Sequence, residues 1–167
     1  NRGNRLFEAR IGRPSFTPAK ARLYTRYLAA QHGERPDKPK EVMARQYQDF
    51  LVSSCLGGHT IEIQLYADEV LAGVSVLDRV GDALSSVYFY FGPEFEWFSP
   101  GTWSILYEIE LARQWGLHYY YLGHYIEECP SMNYKGRFRP CEIKAPEDLV
   151  WQRFERGIIP RPEWPEE

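Results

Sequence analysis

The sequence predicts an α+β fold in which a central, mostly antiparallel sheet is flanked by helices. Three strand-like runs separated by short turns occupy residues 60–66, 70–78 and 84–91, and helix-forming segments precede and follow them. The chain of 167 residues is 44% hydrophobic, which is enough for one buried core. We therefore expect residues 1–167 to form a single domain.

Two helices are predicted before the strands. The first begins at Thr17 and Pro18, an N-cap hydroxyl followed by a proline, and ends at Gly33. A charged linker that contains prolines is expected at residues 34–40. A second helix is expected at residues 39–56, because apolar side chains recur there at spacings of three and four. Residues 1–15 are a basic lead-in without a predicted element.

A third helix and a short strand are predicted after the meander. Ser99 and Pro100 begin the helix and Gly116 ends it. Its apolar side is expected to consist of Ile105, Leu106, Ile109, Leu111 and Ala112. Residues 118–122 contain three consecutive tyrosines and no alternation, which is typical of a strand covered on both faces. The rest is irregular, with one helical turn near Met132 and a last strand near Glu142.

This order of elements is similar to that of the GNAT-type acyltransferase fold. In that fold the strand before the long helix and the strand after it part and open a cleft. The same architecture carries many activities, so the pattern of elements alone leaves the activity open.

Composition excludes several classes of protein. No apolar run reaches the roughly 18 residues that a membrane helix needs, and the N-terminus lacks a signal peptide, so we expect a cytoplasmic protein without a membrane partner. Cys55, Cys129 and Cys141 are odd in number and form no C-x-x-C pair. They are interpreted as reduced thiols, and no metal site is expected.

The charges are unevenly distributed. The formal net charge is −3, which argues against a protein coated in basic residues, and DNA is not expected as a partner. Basic residues nevertheless cluster within residues 1–26 and again at Lys135, Arg137 and Arg139. Such local patches suit a partner that presents phosphates to part of the surface. The alternative is that both clusters are solvated surface charges.

Two segments carry a specific resemblance. Residues 120–126 read YYLGHYI and residues 132–140 read MNYKGRFRP. Together they resemble the C-terminal signature of arginyltransferases and of their bacterial leucyltransferase relatives, the aminoacyl-tRNA protein transferases. Upstream pieces agree in the same order: Phe16-Thr17, Leu23-Tyr24, Tyr27, His32, Phe50-Leu51, Asp78, residues 84–88 (LSSVY), Gly101-Thr102 and Ile109-Glu110. The resemblance covers nearly the whole chain.

The resemblance implies an activity. The family transfers an amino acid, arginine or leucine, from aminoacyl-tRNA to the N-terminal α-amine of a protein that begins with Asp or Glu, and so marks that protein for degradation. Residues 127–130 resemble the arginine-using branch and the spacing of the N-terminal half resembles the bacterial branch, so the amino acid stays open. Family members usually carry a cysteine-rich N-terminal domain, and this chain begins where that domain would end.

The chain also departs from the family's pattern. Gly92 stands before Pro93 where an acidic residue is common, His124 replaces a second aromatic residue, and Ser131 replaces a lysine. These departures put the choice of substrate in doubt.

The implied reaction is the aminolysis of an activated ester. No covalent nucleophile and no cofactor is expected. An α-ammonium has a pKa near 8, so deprotonating it at neutral pH costs about 1.4 kcal/mol, and a carboxylate or a tyrosine would assist. The candidates are Asp78, Tyr88, Glu110 and Tyr121. For each, the alternative is an ordinary structural place: a turn for Asp78, a helix surface for Glu110, and the core for the tyrosines.

The substrates need their own contacts. Ser99, Gly101 and Thr102 could present backbone amides to a phosphate or an ester oxygen, or they could form an ordinary N-cap. In extended backbone Lys135, Arg137 and Arg139 would project to one side. We expect Lys135 and Arg137 to bind tRNA phosphates. We expect Arg139 and Tyr134 to bind the acceptor, although ion pairs to Glu127, Glu128 or Glu142 would explain the same charges.

Two rival functions remain at this stage. The first is a coenzyme A-dependent N-acyltransferase, but the entry to the third helix contains an acid, two aromatics and one glycine in place of closely spaced glycines. The second is a non-catalytic module that binds protein N-termini or tRNA ends. Such a module would tolerate substitution of Asp78 and Glu110.

Overall fold

A computed structural model of the chain describes residues 7–33, 40–53, 56 and 58–154. The chain divides into two compact units, Asn1–Gly123 and His124–Glu167, which are described in turn. That residues 1–167 form a single domain stays a prediction. The first unit contains a five-stranded sheet. In spatial order its strands are β1 (Glu8–Gly12), β2 (Thr60–Ala67), β3 (Val70–Val80), β4 (Ala83–Phe91) and β5 (Tyr119–Tyr121).

The first strand was not predicted. β1 lies in the basic lead-in and pairs antiparallel with β2, from Glu8 opposite Tyr66 to Gly12 opposite Glu62. It is an edge strand with mostly exposed side chains, so it lacks the alternation of apolar residues that reveals a half-buried strand. Its Arg10 guanidinium lies 4.1 Å from the centre of the Tyr66 ring.

The three central strands are confirmed as an antiparallel meander. Asp68 and Glu69, which join β2 to β3, both have positive φ angles, 46° and 65°. A two-residue turn with positive φ at both positions matches the twist of the flanking strands. Gly81, with φ of 59°, begins the turn from β3 to β4. Helix α3 (Pro100–Gln114) forms the crossover from β4 to β5, so these two strands run parallel.

The first predicted helix is confirmed and the second is shorter than predicted. Helix α1 (Pro18–His32) begins at the Thr17 cap, whose hydroxyl accepts a hydrogen bond from the Lys20 amide, and ends at Gly33 with φ of 63°. Helix α2 (Lys40–Tyr47) continues as one π-helical turn, Gln48–Val52. The described residues exclude 34–39, which hold most of the predicted linker, as well as Cys55 and Gly57.

Each face of the sheet carries its own core. Helix α3 covers one face, the α3 face, and helices α1 and α2 cover the other, the α1 face. The buried members on the α3 face include Ile63, Leu65, Leu77, Leu84 and Leu111. Those on the α1 face are Leu23, Tyr47, Leu51, Val74, Val76 and Tyr90.

A buried ion pair attaches α1 to the sheet. The Lys20 ammonium donates to the Glu62 carboxylate, and the two residues are only 2% and 1% exposed. The same ammonium also donates to the Ser15 hydroxyl at 2.7 Å. Glu62 Oε1 further accepts from Gln64 at 2.7 Å, whereas Glu62 Oε2 has no hydrogen-bond partner among the described residues.

The second unit is small and rich in loops. It contains helix α4 (Pro130–Asn133), a 3-10 turn at Tyr134–Arg137, and a two-stranded ribbon of β6 (Glu142–Ile143) and β7 (Gln152–Arg153). The helical turn near Met132 and the strand near Glu142 are therefore confirmed. The second strand of the ribbon was not predicted.

Candidate active site

The sheet opens where β5 ends. β5 pairs with β4 only from Ala83 opposite Tyr119 to Ser85 opposite Tyr121. β4 continues to Phe91, and no described strand pairs with residues 86–91 on that side. We call this region, where β4 continues beyond the end of its pairing with β5, the β4–β5 cleft. Parting of these two strands is what the order of elements predicted.

A β-bulge lies at the start of the cleft. Val76 of β3 pairs with Tyr88, and the next residue, Leu77, pairs with Ser86, so Val87 is an extra residue on β4. The ladder of hydrogen bonds is disrupted at a bulge, which leaves backbone groups available to other partners. An amide aimed into a cleft is a suitable donor for the oxyanion of a tetrahedral intermediate.

The register brings three of the four predicted catalytic residues to one face of the sheet. Asp78 is opposite Ser85, and Ser85 is opposite Tyr121, so all three side chains share a face. Tyr88 is opposite Val76, whose side chain lies in the core of the α1 face. Asp78, Tyr88 and Tyr121 therefore all lie on the α1 face.

Asp78 has a structural partner. Its Oδ1 atom accepts a hydrogen bond of 2.5 Å from the hydroxyl of Thr60, the residue opposite it on β2. The carboxylate is partly buried. β3 continues to Val80, so Asp78 does not open a turn, and that alternative is wrong.

The two predicted tyrosines differ in environment. Tyr88 is half-buried, and its ring contacts those of Tyr24, Tyr27 and Phe50 at centroid distances of 6.0, 6.3 and 5.3 Å. Tyr121 is 38% exposed and stacks on Tyr119, which is 52% exposed. The prediction that this strand is covered on both faces is wrong, because Tyr119 and Tyr121, which share one face, are both exposed.

A deeper pair of tyrosines lies behind Tyr88. The hydroxyls of Tyr47 and Tyr90 are 2.6 Å apart, and both residues are buried. Burial raises the pKa of Tyr47 to about 12 and raises the pKa of Tyr90 further. Both phenols therefore stay protonated at neutral pH and are part of the core.

The fourth predicted catalytic residue, Glu110, lies elsewhere. It is exposed on α3 and accepts hydrogen bonds from Arg113 at 2.7 and 2.8 Å and from Gln114 at 2.9 Å. The bonds from Arg113 lower the pKa of Glu110 to about 2. The structure therefore shows the helix-surface alternative. Leu106 and Ile109, predicted on the apolar side, are also exposed.

The carboxylate that faces the sheet is Glu108, which the sequence reasoning missed. The buried residues of α3 include Ser104, Ile105, Leu111 and Ala112, and Glu108 follows Ser104 by four residues and precedes Leu111 by three. Its position in the periodicity was therefore visible in the sequence. Burial raises the pKa of Glu108, and hydrogen bonds from Ser104, Tyr120 and Ser75 act in the opposite direction.

The N-terminus of α3 is an acidic environment. Ser99 is the N-cap residue, but its side chain makes no capping bond and its φ is 53°. The Gly101 and Thr102 amides belong to the first turn, where backbone donors lack helical partners. A depression of ≈ 580 Å³ beside Ser99 is also lined by Pro93, Glu94, Glu96 and Trp97. The Glu94 carboxylate forms an ion pair with Arg26, and the Glu96 carboxylate makes this depression unfavourable for a phosphate.

In the second unit the basic residues do not form an extended stripe. Tyr134, Lys135 and Arg137 belong to a 3-10 turn, so the predicted alternation of side chains is wrong. Lys135 is half-buried and its ammonium donates to the His124 carbonyl at 2.7 Å; burial lowers the pKa of Lys135. Arg139 lies 5.0 Å from the centre of the Phe154 ring.

Two of these cations, Arg137 and Arg139, are exposed, whereas Lys135 is half-buried. Tyr134 is half-buried as well. Within the described residues, no ion pair joins any of the three basic side chains to Glu127, Glu128 or Glu142, so that alternative is not observed.

Two aromatic rings lie so close to position 136 that only glycine fits there. A Cβ atom at this position would lie 2.5 Å from a ring carbon of Phe154 and 3.2 Å from one of Tyr125. The backbone of the 3-10 turn therefore approaches the two rings more closely than any other residue would permit.

Within the described part of the chain, no group of His, Cys, Asp and Glu side chains is arranged to hold a metal ion, and no helix is long and apolar enough to cross a membrane. Cys129 and Cys141 are free thiols.

Comparison with solved structures confirms the fold. The chain is similar to a possible acetyltransferase from Clostridium difficile 630, with a TM-score of 0.59 and 12% identity over 87% of this chain and 98% of the other. The GNAT-type fold predicted from the order of elements is therefore correct. At this identity the likeness concerns the fold alone.

Comparison of sequences identifies the family. An arginyl-tRNA–protein transferase of Arabidopsis thaliana is 35% identical over 90% of this chain and 26% of its own length. An aspartate/glutamate leucyltransferase of Acinetobacter baumannii is 36% identical over 83% of this chain and 49% of its own length. The chain thus spans half or less of these two relatives. Residues 19–145 match the family described as arginine-tRNA-protein transferase, C terminus, and the chain belongs to this family of aminoacyltransferases.

Proposed function

We propose that the protein containing this chain transfers an amino acid, arginine or leucine, from aminoacyl-tRNA to the N-terminal α-amine of an acceptor protein that begins with Asp or Glu. The observation that carries the proposal is the family match over residues 19–145, within which the β4–β5 cleft lies. Relatives named for arginyl and for leucyl transfer are about equally similar, so the amino acid stays open.

The cleft suits the chemistry of this reaction. The amine nitrogen attacks the ester carbonyl carbon, the carbon–oxygen bond to the tRNA ribose breaks, and an amide forms while the ribose regains its hydroxyl. We assign the backbone amides at the Val87 bulge to the oxyanion of the intermediate. Asp78, Tyr88 and Tyr121, on the α1 face, hold the amine and receive its protons.

The basic residues of the second unit serve the substrates. Arg137 is exposed and binds tRNA phosphates, for which a guanidinium is well suited. Lys135 contributes less to this contact because its ammonium already donates to a carbonyl. Arg139 and Tyr134 remain the candidates for binding the acidic residue of the acceptor. Ser99, Gly101 and Thr102 are candidates for an ester oxygen, since the acidic depression beside them disfavours phosphate.

The test is transfer of radiolabelled arginine or leucine from charged tRNA to peptides that begin with Asp, Glu or Ala. We expect one of the two amino acids to reach the acidic peptides and not the Ala peptide. Arg137→Ala should raise the KM for tRNA, whereas Lys144→Ala, an exposed lysine of the same unit, should not. Asp78→Asn should lower kcat.

Other outcomes separate the alternatives. Binding of tRNA or peptide without transfer, unchanged in Asp78→Asn, would indicate a non-catalytic binding module. Acetylation of the peptides with acetyl-coenzyme A in place of charged tRNA would indicate a coenzyme A-dependent enzyme. Either result would contradict the proposal.

A further inference from the structure

The buried carboxylate of Glu108 joins three elements of the fold. The residue is 1% exposed. Its Oε1 atom accepts hydrogen bonds from the hydroxyls of Ser75 on β3, at 2.7 Å, and Ser104 on α3, at 2.5 Å. Its Oε2 atom accepts one of 2.5 Å from the hydroxyl of Tyr120 on β5. One side chain therefore fixes the distance between the helix and two strands.

The two strands joined by the carboxylate are the neighbours of β4 on its two sides. Ser75 is opposite Phe89 on β4, and Tyr120 is opposite Leu84. The Val87 bulge lies between these two positions along β4. The hydrogen bonds therefore span β4 on the α3 face at the bulge and hold β5 where its pairing with β4 ends.

This arrangement is costly for a purely structural network. A buried carboxylate loses its hydration, and among the described residues no cation forms an ion pair with Glu108. Its compensation comes from the three hydroxyl groups. Replacing both partners of a buried polar interaction by apolar groups of the same shape can be nearly neutral for stability. A carboxylate at this place is thus better explained by the precise positions that it gives to α3, β3 and β5 than by a gain in stability.

We propose that Glu108 is a positioning residue of the transfer reaction, which acts through Tyr120 and Ser75 to set the width of the β4–β5 cleft and the direction of the amides at the Val87 bulge. This inference rests on the proposed function, because it assumes that the ester reacts at the bulge. Glu108 itself touches neither substrate.

Two substitutions test this role in the transfer assay. Glu108→Gln keeps an acceptor for the serines but replaces the acceptor of Tyr120 by an amide nitrogen. Tyr120→Phe removes only the hydroxyl. Misplacing a catalytic group by about 1 Å can cost about a hundredfold in rate, so we expect kcat to fall about tenfold to a hundredfold in both variants. Both KM values should stay within about threefold, because the groups that bind the substrates are unchanged.

The control is Glu69→Gln, which neutralises an exposed carboxylate in the turn between β2 and β3 and should leave kcat and KM unchanged. The double variant combines Glu108→Gln with Tyr120→Phe. Its kcat should be no lower than that of the less active single variant, because both changes break the same hydrogen bond. If Glu108→Gln does not fold, Tyr120→Phe and Ser104→Ala, which each delete one hydroxyl, decide the question.

A second measurement does not depend on transfer. The amide resonances of Val87, Tyr88 and Tyr121 should shift in Glu108→Gln and in Tyr120→Phe, while that of Leu23 in α1 stays in place. The inference would be overturned if the amide resonances at the bulge did not shift in these variants. It would also be overturned if they shifted while kcat stayed unchanged. If the protein containing the unmodified chain transfers neither amino acid, the proposed function fails, and the amide shifts alone show whether Glu108 positions the bulge.

Discussion

Replacing Lys20 by methionine should strongly destabilise the first unit. Lys20 and Glu62 form an ion pair in which both side chains are almost fully buried. Methionine has similar length and no charge. The Glu62 carboxylate would retain the hydrogen bond from Gln64 and lose its cation, while its Oε2 atom already has no partner among the described residues.

The expected loss follows from the cost of an uncompensated buried charge. Removing one partner of a buried pair typically costs about 3–5 kcal/mol. The total stability of a domain is about 5–15 kcal/mol, so the loss is a large fraction of it. For a chain of this size, 1 kcal/mol shifts the Tm by about 2–4 °C, which predicts a decrease of about 6–20 °C for Lys20→Met.

Urea denaturation followed by circular dichroism and thermal unfolding measure this loss. Lys144→Met is the matched control, because Lys144 is exposed, and its Tm should stay within about 2 °C of that of the unmodified chain. The double variant, Lys20→Met with Glu62→Leu, removes both charges and should recover most of the stability. A Tm of Lys20→Met equal to that of the control would refute the argument that the ammonium compensates the buried carboxylate.

Three further predictions concern the core and the pH dependence. Gly136→Ala should destabilise the second unit by about 1–3 kcal/mol, measured by urea denaturation, because the new Cβ would overlap the Phe154 ring. Tyr47→Phe should cost about 1–2 kcal/mol by the same assay, since the buried hydroxyl of Tyr90 loses its partner. The pKa of Glu108 is raised above its ordinary value of 4.5 by burial, so the folded state binds the proton more tightly than the unfolded state. The stability from this group is therefore full below about pH 4.5 and is lost as the pH rises through the folded pKa. The free energy of unfolding of Glu108→Gln, measured from about pH 4 to about pH 8, should lack this decrease.

Much of the fold was predictable because its signals are local. In the structure α1 begins after the Thr17 cap, at Pro18, and ends before Gly33, as the sequence predicted. The meander was visible from runs of apolar residues between turn residues. β1 was not, because an exposed edge strand has no apolar alternation. The π-helical turn at Gln48–Val52, where the second helix ends, was not predicted either.

The candidate site was only partly predictable. The register placed Asp78, Tyr88 and Tyr121 together, but it did so through pairings across three strands that no single segment encodes. Glu110 and Glu108 are two residues apart on one helix, which places them about 200° apart around its axis. A shift of that size turns a carboxylate from the buried side to solvent.

The sequence by itself determined the family, the order of the central elements and the residue types available for chemistry, because these depend on local spacing and on linear motifs. The tertiary structure decided which of those residues lie together. It showed the Glu108 carboxylate hydrogen-bonded to β3 and β5 on the two sides of β4, exposed tyrosines on the edge strand β5, and the Lys135 ammonium bound to a carbonyl. The physical reason is that periodicity tells which residues share a face, whereas only packing determines what covers that face and which polar groups meet beneath it.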